Sequence, residues 1–175
     1  MIGCNGRATK KNDTQQWREL SCGLWINNDG DIGLKTTRST GEEKIIDCYL
    51  TRTPLGDDTP LKMLVDTATF HDMGGSFYKD KNHIYNYFPM SDGGSFYPID
   101  DYVDYSTFEV LGDGCFARDK EHIYTEKHLD IVDADYKTFH AIKGCLAQDK
   151  NGFIFWTDRI TEDEAQEYLN EFEKE

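Results

Sequence analysis

The decapeptide CFARDKEHIY, Cys115–Tyr124, has two near copies in the same chain: SFYKDKNHIY, Ser76–Tyr85, and CLAQDKNGFIF, Cys145–Phe155. In each, a short apolar run leads to Asp-Lys, and a second β-favouring run follows two residues later. Two such runs around a polar tetrapeptide read as a β-hairpin. An Asp that opens a turn accepts hydrogen bonds from the backbone N–H groups beyond it. Lys tolerates the exposed second position, and Gly152 supplies a positive φ. His83 and His122 stand where Gly152 stands. His is among the few non-glycine residues enriched at positive φ, so both are expected to be left-handed. A catalytic motif ordinarily occurs once; a motif written three times reads as a building block.

Working outward, each hairpin is preceded by a second shared element: DTATF from Asp66, DYSTF from Asp104 and DYKTF from Asp135. The leading Asp is placed to cap a short helical turn, and Phe70, Phe108 and Phe139 then enter the core. The equivalent positions are Thr69, Thr107 and Thr138; Gly75, Gly114 and Gly144; and Asp80, Asp119 and Asp149. The copies recur every 30–39 residues, a period that marks a repeat architecture. The longer interval holds an extra hairpin, YNYFPMSDGGSFYPI, Tyr85–Ile99. GLWINNDGDIGLKT, Gly23–Thr36, reads as an earlier hairpin, and GLWINNDGDIGLK within it as a diverged unit. KIIDCYLTRT from Lys44 reads as a strand. At the other end, Thr161 with Glu164 forms a capping box, and Ala165, Tyr168, Leu169 and Phe172 follow at helical spacing. The expected fold is mainly β: an array of β-hairpin repeats with short helical turns, closed by a C-terminal α-helix. Its expected bounds are a flexible leader over 1–14 and a single repeat domain over 15–175. The repeats fall at about 66–87, 104–125 and 135–157, and the helix at about 161–174.

These units resemble the DKNYY family, bacterial proteins built on repeats of Asp-Lys-Asn followed by aromatic residues. The resemblance runs from about Asp66 to Trp156. It departs at Glu121, which replaces Asn, and at Phe153 and Ile154, which stand where Ile and Tyr are expected. It implies a repeat fold and brings no catalytic residues with it. Some small repeat-rich proteins of this kind look like immunity proteins that neutralise the toxins of rival bacteria.

Five cysteines are present. MIGC, ending at Cys4, resembles the lipidation point of a bacterial lipoprotein signal, and the polar stretch that follows suits a tether. On that reading Cys4 is a lipidation site, and the protein sits in the periplasm or cell envelope as a lipoprotein. A cytoplasmic chain with reduced thiols is the alternative. In an oxidising compartment the remaining four are disulfide candidates. Cys115 and Cys145 occupy matching repeat positions and form one candidate pair; Cys22 and Cys48 flank the N-terminal hairpin and form the other.

The formal net charge of −14, from 33 acidic and 19 basic residues among 175, disfavours nucleic acid, whose phosphates would be repelled. It suits a basic protein partner. No segment approaches the roughly 20 apolar residues that span a bilayer as a helix, which leaves a lipid at Cys4 as the expected contact with a membrane. The histidines lack a metal-binding helical spacing. NNDGDIG from Asn27 fails as a calcium loop, because its sixth position is Ile32 and its twelfth Arg38. No cofactor, metal or catalytic set is expected. The expected function is non-enzymatic binding, foremost capture of a basic toxin by an immunity protein. A cell-envelope lipoprotein that binds a glycan or metal, or has a structural role, is the alternative. The extra hairpin interrupts the period and mixes aromatic with acidic residues. Tyr87, Phe88, Asp92, Tyr97, Asp100 and Asp101 are therefore the expected partner-binding residues.

Overall fold

The computed structural model describes residues 16–41, 44–54 and 58–172. Over these residues the chain is mainly β, with fifteen strands and two helices. The strands form four small sheets in which each strand lies beside its neighbours in sequence. Short turns therefore suffice as connections, and the pairings are antiparallel. The described residues fall into two compact units. One takes those up to Asp72 together with Tyr78–Ile99; the other takes Met73–Phe77 and the residues from Asp100 onward.

In the first unit, β1 (Trp17–Ser21), β2 (Leu24–Asn27), β3 (Ile32–Thr40) and β4 (Lys44–Leu50) make one meander. From Leu34 onward β3 alternates, with Leu34 and Thr36 buried and Lys35 and Thr37 exposed, the period of two expected for a sheet with one core-facing side. The corner between β2 and β3 is built by Asn27, whose Oδ1 accepts the backbone N–H groups of Asp29 at 3.0 Å and Asp31 at 2.8 Å. A short helix, α1 (Leu61–Leu64), precedes the first repeat. Its Leu61 joins Leu24, Leu34, Phe70, Tyr85 and Phe96 in one apolar core. The next sheet follows the order β5 (His71–Gly74), β6 (Phe77–Lys79), β7 (Ile84–Phe88) and β8 (Ser95–Pro98).

The second unit holds β9 (Glu109–Leu111), β10 (Phe116–Arg118) and β11 (Ile123–Thr125), then β12 (His140–Lys143), β13 (Leu146–Asp149), β14 (Gly152–Phe155) and β15 (Asp158–Ile160). Successive repeats stack through equivalent residues. Phe77 meets Phe108 edge to face at 5.2 Å, and Phe116 meets Phe139 in the same way at 5.3 Å. Glycine is required where the turns touch: a Cβ on Gly75, at φ +59°, would lie 2.2 Å from the carbonyl oxygen of Gly114. The turn of the next repeat is joined by a hydrogen bond from its backbone to a side chain, Gly144 N–H to Asp113 Oδ2 at 3.1 Å. The array closes with α2 (Glu162–Phe172), whose capping box forms as read. Glu164 Oε2 accepts the Thr161 N–H at 2.8 Å, and Tyr168 lies 4.0 Å from Phe155.

Cys115 and Cys145 are joined by a disulfide, with their Cα atoms 5.2 Å apart. It fastens two repeats at matching positions. The pairing of Cys22 with Cys48 is not found, and neither residue carries a disulfide. Cys48 is buried within β4, opposite Thr36 on β3, whereas Cys22 is exposed in the tight turn between β1 and β2. There it adopts φ +48°, as Gly144 does at +51° in its own turn, so Cys22 fills a turn position and not a bridging one. Cys4 and the leader lie outside the described residues. His83 and His122 are also corrected: neither has a positive φ, whereas Gly152 does. The Asp carboxylate accepts the N–H of each of these histidines, which fixes that N–H towards the hub.

The disulfide closes a loop over a sequence separation of 30. Its reduction is expected to lower stability by about 3 kcal/mol. Urea denaturation with and without a dithiol should show this shift, and the Cys115→Ser, Cys145→Ser double variant should show none between the two conditions.

Candidate functional site

Asp119 is 4% exposed, yet it carries a carboxylate. Such a group is tolerated in a core only when its acceptor sites are filled, and here they are. Oδ1 accepts the backbone N–H groups of Glu121 at 2.8 Å and His122 at 2.9 Å. Oδ2 accepts the N–H of Asp104 at 2.8 Å and the hydroxyl of Tyr124 at 2.9 Å. One side chain thus closes the hairpin turn and ties it to the helical turn that opens the repeat. Asp104 completes the clamp: its Oδ1 accepts the Thr107 N–H and hydroxyl, and its Oδ2 pairs with Lys120 at 2.7 Å. The Thr107 hydroxyl in turn accepts the Lys120 N–H at 3.0 Å.

The other repeats draw the same circuit. In the first, Asp80 Oδ2 accepts from Asp66 N–H and the Tyr85 hydroxyl, Lys81 pairs with Asp66, and Thr69 accepts the Lys81 N–H. In the third, Asp149 Oδ2 accepts from Asp135 N–H, Lys150 pairs with Asp135, and Thr138 accepts the Lys150 N–H. There Ile154 occupies the tyrosine position and offers no hydroxyl. Arg159 from β15 replaces it, with Nη1 2.6 Å from Asp149 Oδ1 and Nη2 2.7 Å from Oδ2. The lysine is therefore not a bystander of an exposed turn but the cation of the repeat's leading aspartate. His71 and His140 are exposed, and each ring Nδ1 lies within hydrogen-bond distance of its own repeat's threonine carbonyl.

These circuits shift the carboxyls. Burial pushes Asp119 up, but the three backbone N–H donors and the Tyr124 hydroxyl outweigh it and leave it below the usual range. Asp149 is lowered chiefly by the Arg159 guanidinium, and Asp104 chiefly by Lys120. Burial, together with the bond to Asp119, pushes the Tyr124 hydroxyl up.

Over the Asp119 clamp lies an open cleft of about 240 Å³, lined by Asp100, Asp101, Tyr102, Lys120, Glu121 and His122. Lys120 is held by Asp104, so the lining is mainly acidic. Tyr102 is 69% exposed at its edge. Of the residues singled out in the sequence, the fold brings Asp100 and Asp101 to this cleft. Tyr87, Phe88, Asp92 and Tyr97 belong to the β7–β8 hairpin. Tyr87 is half-buried and its hydroxyl bonds Thr36 and the Gly93 carbonyl. The hairpin loop is further held by the Ser39 N–H on the Ser91 carbonyl at 2.7 Å. Asp92 accepts the Gly94 N–H at 3.3 Å. Tyr87 and Asp92 thus have structural duties within the first unit. Tyr102, Glu121 and His122 are not among the expected partner-binding residues, although Tyr102 adjoins Asp101 and the other two sit inside the repeated turn.

The chain matches the DKNYY family over residues 58–174. It belongs to that family. No curated protein and no solved structure matches it. The DKNYY motif thereby acquires a physical meaning in this chain. Asp is the buried hub, Lys is the counter-ion of the leading aspartate, and the aromatic residue five positions after the hub is a hydroxyl donor to it. The matched stretch includes α1 and α2.

Removal of the hub leaves its donors unanswered. Asp119→Ala is expected to cost about 3 kcal/mol, read as a lowered urea midpoint; an unchanged midpoint would contradict the hub. Because the folded Asp119 and Asp149 carboxyls are lowered, their contribution is full above the unfolded value of about 3.9. It is lost as pH falls towards the folded values. Acid titration of stability should therefore show a loss below about pH 4 that is smaller in Asp119→Asn. At the third hub, Arg159→Ala is expected to cost about 2 kcal/mol, below the roughly 3–5 kcal/mol of a fully buried pair because the guanidinium is partly exposed. Arg159→Lys should recover only part of it, since an ammonium does not reproduce the two-pronged contact.

Proposed function

We propose that this DKNYY protein is a non-enzymatic binding protein that neutralises a basic protein toxin by direct contact. The observation that carries the reading is the acidic cleft, where Asp100, Asp101 and Glu121 surround the exposed ring of Tyr102. Carboxylates beside an exposed aromatic suit a lysine or arginine side chain presented by a partner. The chain's formal net charge of −14 favours the same class of partner, since complementary charge speeds encounter. The repeat carboxylates, by contrast, are engaged in folding: Asp80, Asp119 and Asp149 are each at most 5% exposed. A place at the cell envelope is part of the proposal and rests on the MIGC stretch ending at Cys4.

The test is binding to a basic protein toxin, where one is encoded beside this gene, measured by surface plasmon resonance at low and high salt. The association rate is expected to fall as salt rises, and the variant Asp101→Asn, Tyr102→Ala, Glu121→Gln to weaken binding at least about tenfold, the scale of one lost hot-spot contact. Equal binding by the wild type and the variant would discard the cleft. No binding at low salt would discard neutralisation of that toxin.

A further inference from the structure

The disulfide has a neighbour that neither the repeat circuit nor the cleft uses. The sulfurs of Cys115 and Cys145 and a carboxylate oxygen of Glu126 all lie within 4.8 Å of one another. Cys115 is buried, and Cys145 and Glu126 are half-buried. Their backbones are held in place: the Glu126 N–H bonds the Cys115 carbonyl at 2.8 Å, and the Trp156 N–H bonds the Cys145 carbonyl at 3.0 Å. The Glu126 carboxylate accepts the Ser76 hydroxyl at 3.0 Å, which orients it. Leu111, Ala141, Cys145 and Trp156 pack against the buried apolar cluster that contains Cys115.

We propose that Cys115, Cys145 and Glu126 form a redox-gated site for a zinc-type divalent cation, shut while the disulfide is closed and opened by a dithiol reductant. The chemistry balances. A dithiol transfers two electrons and two protons to the two sulfurs, the S–S bond breaks, and the reductant leaves as its own disulfide. Zinc then displaces both thiol protons and meets two thiolates and an ionised carboxylate. A tetrahedral ion with Zn–S bonds of about 2.3 Å needs its two sulfurs about 3.8 Å apart. The Cα separation of 5.2 Å leaves that to side-chain rotation. The fourth position falls to water. The two thiolates make the site softer than an all-oxygen one, which selects zinc over magnesium or calcium. The two states fasten the same repeats, one by a covalent bond and the other by a shared ion.

The experiment uses the full chain, oxidised or reduced with a dithiol that is then removed without air, dialysed against zinc and analysed for bound metal. One zinc per reduced chain and none per oxidised chain is expected. Cobalt should give thiolate charge-transfer absorption only in the reduced form. Ser76→Ala should weaken binding by at least about tenfold as an orienting partner of a ligand, and Glu126→Gln should weaken it more. The Cys115→Ser, Cys145→Ser double variant, with Cys4, Cys22 and Cys48 intact, should bind none. Glu126→Gln keeps the disulfide in the oxidised form, so its fold is checked there by thermal melting before reduction. If the reduced wild type loses its cooperative melt, zinc is expected to restore it. The proposal is overturned if the reduced chain takes no zinc, if zinc fails to restore a lost melt, or if binding survives in the double variant or is unchanged in Glu126→Gln.

Discussion

Each repeat turns on one buried carboxylate. Asp80, Asp119 and Asp149 are 1%, 4% and 5% exposed, and each accepts from the next residues of its own turn and from the N–H of an aspartate 14 or 15 residues earlier. An ion in a core is stable only if its lone pairs are answered. That demand fixes the geometry of everything around it. The turn must aim its N–H groups inward, the helical turn must present the leading aspartate's N–H, and a hydroxyl or guanidinium must cover the remaining side. The leading aspartate, its threonine, the hub aspartate and the lysine after it are four parts of one circuit.

The third repeat displays the constraint through its exception. Ile154 removes the hydroxyl that Tyr85 and Tyr124 supply, and the hub is not left short: Arg159 arrives from β15 and bonds both oxygens. A fourth corner uses a weaker form of the same device, because the neutral amide of Asn27 accepts two N–H groups with its Oδ1 and is buried at 6%. Stacking then adds apolar contacts of one kind between repeats, Phe77 on Phe108 and Phe116 on Phe139. A disulfide stands where two copies place cysteine at the same position, while the first copy places Ser76 there and reaches Glu126 by a hydrogen bond.

The division of carboxylates into two classes bears on function. Those at the repeat hubs have their acceptor sites filled by the chain itself. Asp101 and Glu121, by contrast, border an open cleft and are exposed. An acidic protein can therefore be read for partners only after the structural acids are set aside. Beside Asp101 and Glu121 in the second unit stands one exposed tyrosine ring, that of Tyr102.

The sequence by itself determined the repeat, its hairpins and the capping box of α2, because these depend on local spacing and on equivalence between copies, and that equivalence made Cys115 and Cys145 one of two candidate pairs. It also marked the hub aspartates as turn residues, since bonds to N–H groups two and three residues on are local. Tertiary structure decided the rest. That the same carboxylate reaches 14 residues back to Asp66 N–H, that Lys81 answers Asp66, and that Arg159 substitutes for a tyrosine are contacts between segments distant in sequence. No local pattern encodes which donor will meet a given acceptor. The same reason misplaced His83 and His122 at positive φ and paired Cys22 with Cys48. A propensity describes a residue in isolation, whereas the buried Asp80 and Asp119 carboxylates had already claimed those N–H groups, and the exposed turn had already claimed Cys22.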